Sequence, residues 1–460
     1  MRLTLGIDIA CRAAHRASLA DEHGVFLWAA RPFRTSTAEL KDLWAAVPDG
    51  GEVTVIMEPT RNAWVPLADW FRRHGAEVVL VPPERSADLR AYYAKHTKSD
   101  QLDSRLLARL PLLHPDGLHR ERGLGPGDAL RRATKLHSTL VHRRSQALAR
   151  LDALLEIMGP GWQPALGGDL ATMTALRFLA AGYADPHVVR RLGRARITRF
   201  LSRHSRGQWG HERAEGLLAV AAETIGLWAD ALDHPALADD IALEARMALA
   251  LTTEIKELDE RIGVLVIEVD PAGIVRSAPG VGPITGAAIL GRLGDPNRFG
   301  SLAAVRSFSG LVPSLAASGL SGQHGGPTKR GDAVLREALY MAADHARRLD
   351  PTLAARYHRL MTESGKHHVS ALCHIAPTLL SRIVACWRRG ETYVLRDVDG
   401  RTVDRTEARA IIAARYTVPA SVRARRRTTG GDRTGRRGQG SRGAPSPSPS
   451  GPHAITAARA

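Results

Sequence analysis

The sequence predicts an α/β domain of RNase H-like type at the N-terminal end, a long helical middle region, and a mainly helical C-terminal domain. Three observations carry this. Over the first 115 residues, short β-branched runs alternate with amphipathic stretches. Two long helical tracts free of acidic residues follow, and after Asp270-Pro271 comes a compact Gly-rich helical segment. At 460 residues and 44% hydrophobic content, the chain can build two or three domains with buried cores.

Residues 2–9 form an apolar, β-branched run, and 15–19 and 25–30 follow it across short turns, which predicts an antiparallel meander. A helix over 38–46 leads to a buried strand at 53–57. A second helix at 64–73 leads to a strand at 77–81, which Pro82-Pro83 stops, and more helix is expected over 84–113. The order βββ-α-β-α-β-α is that of the RNase H-like fold, a mixed sheet with helices on its faces.

Residues 128–159 read as one long helix. No acidic residue falls between Asp128 and Asp152, where Arg131, Arg132, Lys135, Arg143, Arg144 and Arg150 occur. A second tract between Asp185 and Glu212 holds seven arginines, from Arg190 to Arg206. A solvated face normally mixes both signs, so acid-free tracts favour contact with phosphates. Over 236–268, Ala248, Leu251, Ile255, Leu258, Ile262 and Leu265 recur by threes and fours as a coiled-coil seam. Its two to three heptads suit packing within one chain or between two. The tail from Ser421 has nine arginines, one Asp and a PSPSPSGP stretch, and reads as a disordered basic arm. The domain boundaries expected are 1–120, 121–270, 271–400 and 401–460.

A net charge of +17 calls for a polyanionic partner, most commonly nucleic acid, although a ribosomal or membrane-surface role would fit the same charge. Three scattered cysteines, Cys11, Cys373 and Cys386, make no disulfide framework. With no signal-like stretch and no window of ~20 uninterrupted apolar residues, the expectation is a soluble, cytoplasmic, nucleoid-associated protein with no membrane partner.

Four acids stand out. Asp8 in GIDIA and Glu58 in MEPT fall at the carboxyl ends of two strands, and Asp100 and Asp103 in KSDQLDS lie three apart on a helix. Such a cluster is costly unless divalent metal neutralises it. Oxygen-only ligands select Mg²⁺ or Mn²⁺, and two ions roughly 4 Å apart can clamp both oxygens of a phosphodiester exchange.

In the C-terminal part, SAPGVGPITGAAIL suggests a helix-hairpin-helix, whose Gly280-Val281-Gly282 turn would offer backbone N–H groups to a phosphate. Ser318-Gly319 falls in a run of small residues expected to be a loop, ten residues before Lys329-Arg330-Gly331 at a helix start. A hydroxyl beside two cations suits attack on phosphate, with Ser309, Ser314 and Ser321 as rivals. His367, His368, Cys373 and His374 lack a second ligand pair for zinc.

Taken in order, GIDIA, MEPT, KSDQLDS, PGVGPITGAAIL, GLVPSLAASG, TKRGDAVLREALYMAA and GKHHVSALCHIAPTLLSRIV resemble the DEDD transposases of the insertion-sequence one-ten family. The resemblance spans residues 1–120 and 275–395. It implies a RuvC-like nuclease domain with Asp8, Glu58, Asp100 and Asp103 as metal ligands, a nucleophilic Ser318, and assembly on a structured guide RNA that pairs with target and donor DNA. The expected function is cutting and rejoining an insertion element at its ends and target, by a homodimer or homotetramer whose full site draws on both domains. The alternatives are a Holliday-junction-type endonuclease using metal-activated water, and a catalytically silent nucleic-acid-binding protein.

Overall fold

The computed structural model describes residues 1–82, 100–113, 115, 118–121, 123–125, 127–318, 321–328 and 331–425. They fold as two compact units: Met1–Ala133 with Leu290–Asp295, and Thr134–Ile289 with the residues from Pro296 onward. The structure is mostly helical with one small mixed sheet.

That sheet lies in the first unit. Its elements are β1 (Arg2–Asp8), β2 (His15–Ala20), β3 (Phe26–Phe33), α1 (Thr37–Ala45), β4 (Glu52–Met57), α2 (Trp64–Arg73), β5 (Glu77–Leu80), α3 (Asp100–Leu113) and β6 (His119–Arg120). The strand order is β3-β2-β1-β4-β5-β6. β1, β2 and β3 pair antiparallel, whereas β1, β4 and β5 run parallel. This arrangement is compatible with the RNase H-like order. Two details differ from the sequence reading: β3 runs on to Phe33, and β6 adds a short antiparallel edge beside β5. The helix expected over 84–99 lies outside the described residues.

Period-two alternation divides the sheet into two faces. Leu3, Leu5, Ile7, Val53, Val55 and Met57 point to one side, where they pack on Leu40 and Leu43 of α1 and Leu67 and Phe71 of α2. Ile56 and Val79 point to the other and pack on Leu107 and Leu110 of α3. α3 comes so close on that side that a Cβ at Gly6 would overlap the backbone of Ser104 and Ala108. A glycine in mid-strand marks such an approach. Arg109 ties the outer side of α3 to the β2–β3 turn: its Nε donates to Gly24 O at 3.0 Å, and its guanidinium lies over the Phe26 ring.

Further along the chain come α4 (Asp128–Met158), α5 (Trp162–Ala165), α6 (Met173–Ala180), α7 (Pro186–His204), α8 (His211–Trp228) and α9 (His234–Val269). The segment between the two long helices is not a featureless linker. Trp162, Leu176, Phe178, Leu179, Ile197, Leu201 and Leu217 join Leu151 and Leu155 of α4 and Ile241 of α9 in one buried core. The indole of fully buried Trp162 donates to Thr224 Oγ1 at 3.0 Å, so the polar edge of the ring is satisfied. Ala248, Ile255, Leu258 and Ile262, members of the expected seam, are buried within the single chain. Arg150 pairs with Glu244 at 2.7 Å and His137 with Asp259 at 3.0 Å, so α4 and α9 run antiparallel there.

The chain continues through α10 (Pro283–Leu293), α11 (Leu302–Ser309), a hairpin of β7 (Pro313–Ser318) and β8 (Ser321–Pro327), α12 (Ala333–Ala346), α13 (Pro351–Thr362), α14 (His368–Arg389), α15 (Arg405–Arg415) and α16 (Ala420–Arg425). Among the described residues α14 alone is long and apolar enough to cross a membrane. Its Leu372, Ile375, Leu379, Leu380 and Ile383 are buried in the protein core.

Adding a methyl group at Gly6 presses on helix backbone, which cannot swing aside as a side chain can. Gly6→Ala is therefore expected to lower stability by ~2 kcal/mol or more in urea unfolding. An unfolding midpoint equal to that of the wild type would show that α3 does not press on β1.

Candidate functional site

Strand register builds the acidic part of the site. Ile7 of β1 pairs with Met57 of β4, so Asp8 and Glu58, one residue further on, stand side by side at the carboxyl ends of parallel strands. Alternation fixes the face. Gly6 and Ile56 face α3, and Asp8 and Glu58, two residues later, fall on that same face. On α3, Asp103 is 9% exposed and lies one turn before Leu107, which packs against the sheet. Asp100 is the first residue of α3, one turn earlier still; its side chain is outside the described residues.

Two polar contacts hold this frame, and sequence reasoning missed both. Ser104, next to Asp103, shares a buried 2.9 Å hydrogen bond with Ser18 of β2. Ser18 Oγ also accepts from Ala30 N–H at 3.0 Å, where a register shift and a positive φ mark a bulge in β3. His15 fixes the chain just past Asp8: Ala10 N–H donates to its Nδ1 at 3.2 Å, and its Nε2 lies 2.8 Å from Thr35 Oγ1. Gly6 was the readable signal, as a glycine amid strand formers.

Three described carboxylates therefore share one face and one edge, and their oxygen-only chemistry suits a hard divalent ion. Among the described residues no three His, Cys, Asp or Glu side chains are drawn close enough to hold a metal ion. The donor chemistry fits such an ion, and Asp8, Glu58, Asp100 and Asp103 are the residues that would hold it.

Ser318 stands at the end of β7 and pairs with Ser321 of β8. The loop expected at this point is thus a strand end, and Lys329 and Arg330 lie outside the described residues. Of the rival serines, Ser309 is buried; its hydroxyl donates to Arg306 O at 2.6 Å and accepts from Leu311 N–H at 3.3 Å, a helix-ending role. Ser314 and Ser321 lie in the hairpin strands.

The Gly280-Val281-Gly282 turn splits in two. Gly280 has φ of 76°, and a Cβ there would overlap the α12 backbone at Ala342, so its lack of a side chain serves packing. Gly282 and Pro283 are exposed at the start of α10, where helix N–H groups are available. On α4, Arg131 pairs with Asp128 at 2.7 Å and Arg132 pairs with the same carboxylate, while Arg143 is exposed and Arg144 half-buried. The histidines once weighed for zinc have other work: His367 caps α14, and His368 Nδ1 lies 2.9 Å from Tyr357 Oη.

Two family models match the chain. One, for DEDD transposases of the IS110 type, covers residues 5–160, and the other, the Transposase IS116/IS110/IS902 family, covers 272–358. Together they take in just over half of the sequence and define a transposase, an enzyme acting on DNA. The chain is 28% identical over 370 residues to the "Insertion element IS900 uncharacterized 42 kDa protein" of Mycobacterium paratuberculosis, covering 77% of this chain and 88% of that one. It is 26% identical over 376 residues to the "Insertion element IS116 uncharacterized 44.8 kDa protein" of Streptomyces clavuligerus, covering 82% and 92%. The chain belongs to the IS110-type family of insertion-element transposases.

Burial lowers the His15 pKa from its ordinary 6.5, against an opposing pull from Glu39. A lowered folded-state pKa means that the neutral ring is the one folding favours. Its stabilisation is complete above 6.5 and is lost as pH falls toward the folded value. Urea unfolding followed from about pH 7.5 to 5 should show a steeper loss for wild type than for His15→Gln. Parallel curves for the two proteins would remove His15 as the cause.

Proposed function

We propose that the protein cuts and rejoins DNA to move its own element, using Asp8, Glu58, Asp100 and Asp103 as metal ligands and Ser318 as nucleophile. The observation that carries this reading is the placement of Asp8 and Glu58 side by side at the carboxyl ends of β1 and β4, on the face of the sheet that packs against α3, the helix of Asp103. A bound Mg²⁺ or Mn²⁺ supplies Lewis-acid polarisation of the scissile phosphate and offsets its negative charge.

The chain's own groups do the rest. Asp8, Glu58, Asp100 and Asp103 would hold the ion, which would supply positive charge beside the scissile phosphate. The Ser318 hydroxyl oxygen forms a bond to phosphorus, the bond to the deoxyribose oxygen breaks, and the hydroxyl proton passes to that leaving oxygen. Attack by a second DNA hydroxyl on the phosphoserine forms the new phosphodiester and returns a proton to serine. The bonds made and broken are all phosphate esters, so no oxidant or reductant enters. Gly282 at the α10 start, Lys329 and Arg330 contribute phosphate contacts, as do Arg143 and Arg144. The resemblance of the seven motifs further supports a structured guide RNA as partner. Two duplexes must be cut, which calls for a homodimer or homotetramer.

Two experiments test this reading. Asp8→Asn, Glu58→Gln, Asp100→Asn and Asp103→Asn should each reduce strand cleavage by about two orders of magnitude or more with unfolding midpoints near wild type, since each removes a ligand charge. Near-normal cleavage by two of the four would sink the quartet. Trapped on nicked DNA, the wild type should carry a covalent adduct at Ser318. Ser318→Ala should bind DNA yet give neither adduct nor product, a deficit of several orders of magnitude, against about fivefold for losing a spectator hydrogen bond. Recombination by Ser318→Ala within about tenfold of wild type would leave metal-activated water as the nucleophile.

A further inference from the structure

The helices between Trp162 and Trp228 fall outside both family matches, which end at residue 160 and resume at 272. α7 has a built polarity. Val189, Ile197 and Leu201 sink into the core, while Arg190, Arg191, Arg196, Arg199, Arg203 and Arg206 are all exposed. Gly193, with φ of 68°, breaks the helix into two segments, so Arg190 and Arg191 are borne on one short rod, Arg196, Arg199 and Arg203 on the other, and Arg206 in the turn that follows. In the second segment Arg196, Arg199 and Arg203 follow at i, i+3 and i+7, one stripe opposite Ile197 and Leu201.

The charge on this face is not consumed within the protein. Arg194, turned toward α8, pairs with Glu215 at 2.9 Å. Among the described residues no carboxylate lies within ion-pair distance of the other six arginines of the tract. Like charges one turn apart repel, so the fold retains an unfavourable arrangement that a polyanion would relieve. His204, at the end of α7, has its pKa lowered first by burial, with smaller contributions from Arg177 and Arg203.

The face also says which form of nucleic acid fits. Stacking on unpaired bases needs exposed aromatic rings. Beside α7, Phe178, Tyr183 and Phe200 pack on one another with centroids 5.2 to 5.9 Å apart, and half-buried Trp209, past the end of the helix, has the Arg213 guanidinium over its ring. Those rings are engaged with one another and with Arg213, whereas a stripe of exposed guanidinium groups at helical spacing matches the regular phosphates of a duplex. This deepens the reading above, in which duplex DNA is the substrate. We infer that the arginine face of α7 is a docking surface for the sugar-phosphate backbone of duplex DNA, independent of its sequence.

The test is equilibrium binding of the full-length Arg196→Gln/Arg199→Gln/Arg203→Gln protein to a DNA duplex of arbitrary sequence, to an RNA duplex and to a single strand of equal length. Salt is varied from about 50 to 200 mM. Circular dichroism checks folding, which these exposed positions should not disturb. On duplex DNA the log–log salt slope should become shallower by about 2 to 3, close to one phosphate per arginine, and affinity at the upper end should fall at least about tenfold. Arg199→Gln alone should shift the slope by about 1, and the triple Lys variant should keep it near wild type. An unchanged slope in the glutamine triple overturns the inference, as does a loss confined to the RNA duplex or to the single strand. Repeating the titration in Asp8→Asn protein separates this surface from the cleavage chemistry, because equilibrium binding needs no strand to be cut.

Discussion

The packing of α3 onto β1 at Gly6 is the constraint on which the acidic site depends. Helix backbone meets strand backbone there with no side chain between them, and the Ser18–Ser104 hydrogen bond fixes the helix's position along the strand. With that contact set, the alternation of β1 and β4 leaves no freedom in where Asp8 and Glu58 point. The turn-by-turn repeat of α3 then leaves little for Asp103. With β1 held at Gly6, a slip of β4 by one residue would turn Glu58 away from Asp8 into the apolar layer against α1 and α2. The hydrophobic pattern that buries Ile7, Val55 and Met57 therefore also holds the site's charges in place.

The same economy of contact explains the polar residues around the acids. The elements that bear Asp8 and Asp103 are fastened by hydrogen bonds between uncharged side chains. Ser18, Ser104, His15 and Thr35 make these bonds, at 2.8 and 2.9 Å on the β2 side of the sheet. Farther out, cation–π contact from Arg109 to Phe26 holds the solvent side of α3.

How legible each part was follows from where its information lies. The placement of Asp8 and Glu58 at strand ends and of Asp100 and Asp103 in the first turn of a helix was legible because strand ends and helix starts are local features. The β7–β8 hairpin was read as a loop because its residues, Pro, Ser, Leu, Ala, Gly, Gln and His, lack the β-branched and aromatic types that mark strands. Pairing there is a property of two segments together. In residues 160–235 the arginine tract was legible but the packing was not, because Trp162, Phe178 and Leu201 serve a core assembled from several short helices, with no long repeat in any one of them. Gly280 looked like a phosphate turn because positive φ and close packing select the same residue; only the neighbouring Ala342 backbone tells them apart. The seam of α9 carried its periodicity in plain view, but not its partner, which periodicity never names.

We propose that the α3-facing edge of the sheet holds a divalent ion. The most direct measurement is anomalous scattering from crystals of the protein soaked in Mn²⁺. A peak bounded by Asp8, Glu58 and Asp103, absent from crystals of Asp8→Asn, is the result this account predicts. Ordered Mn²⁺ bound only elsewhere, or a peak that survives unchanged in Asp8→Asn, would contradict it.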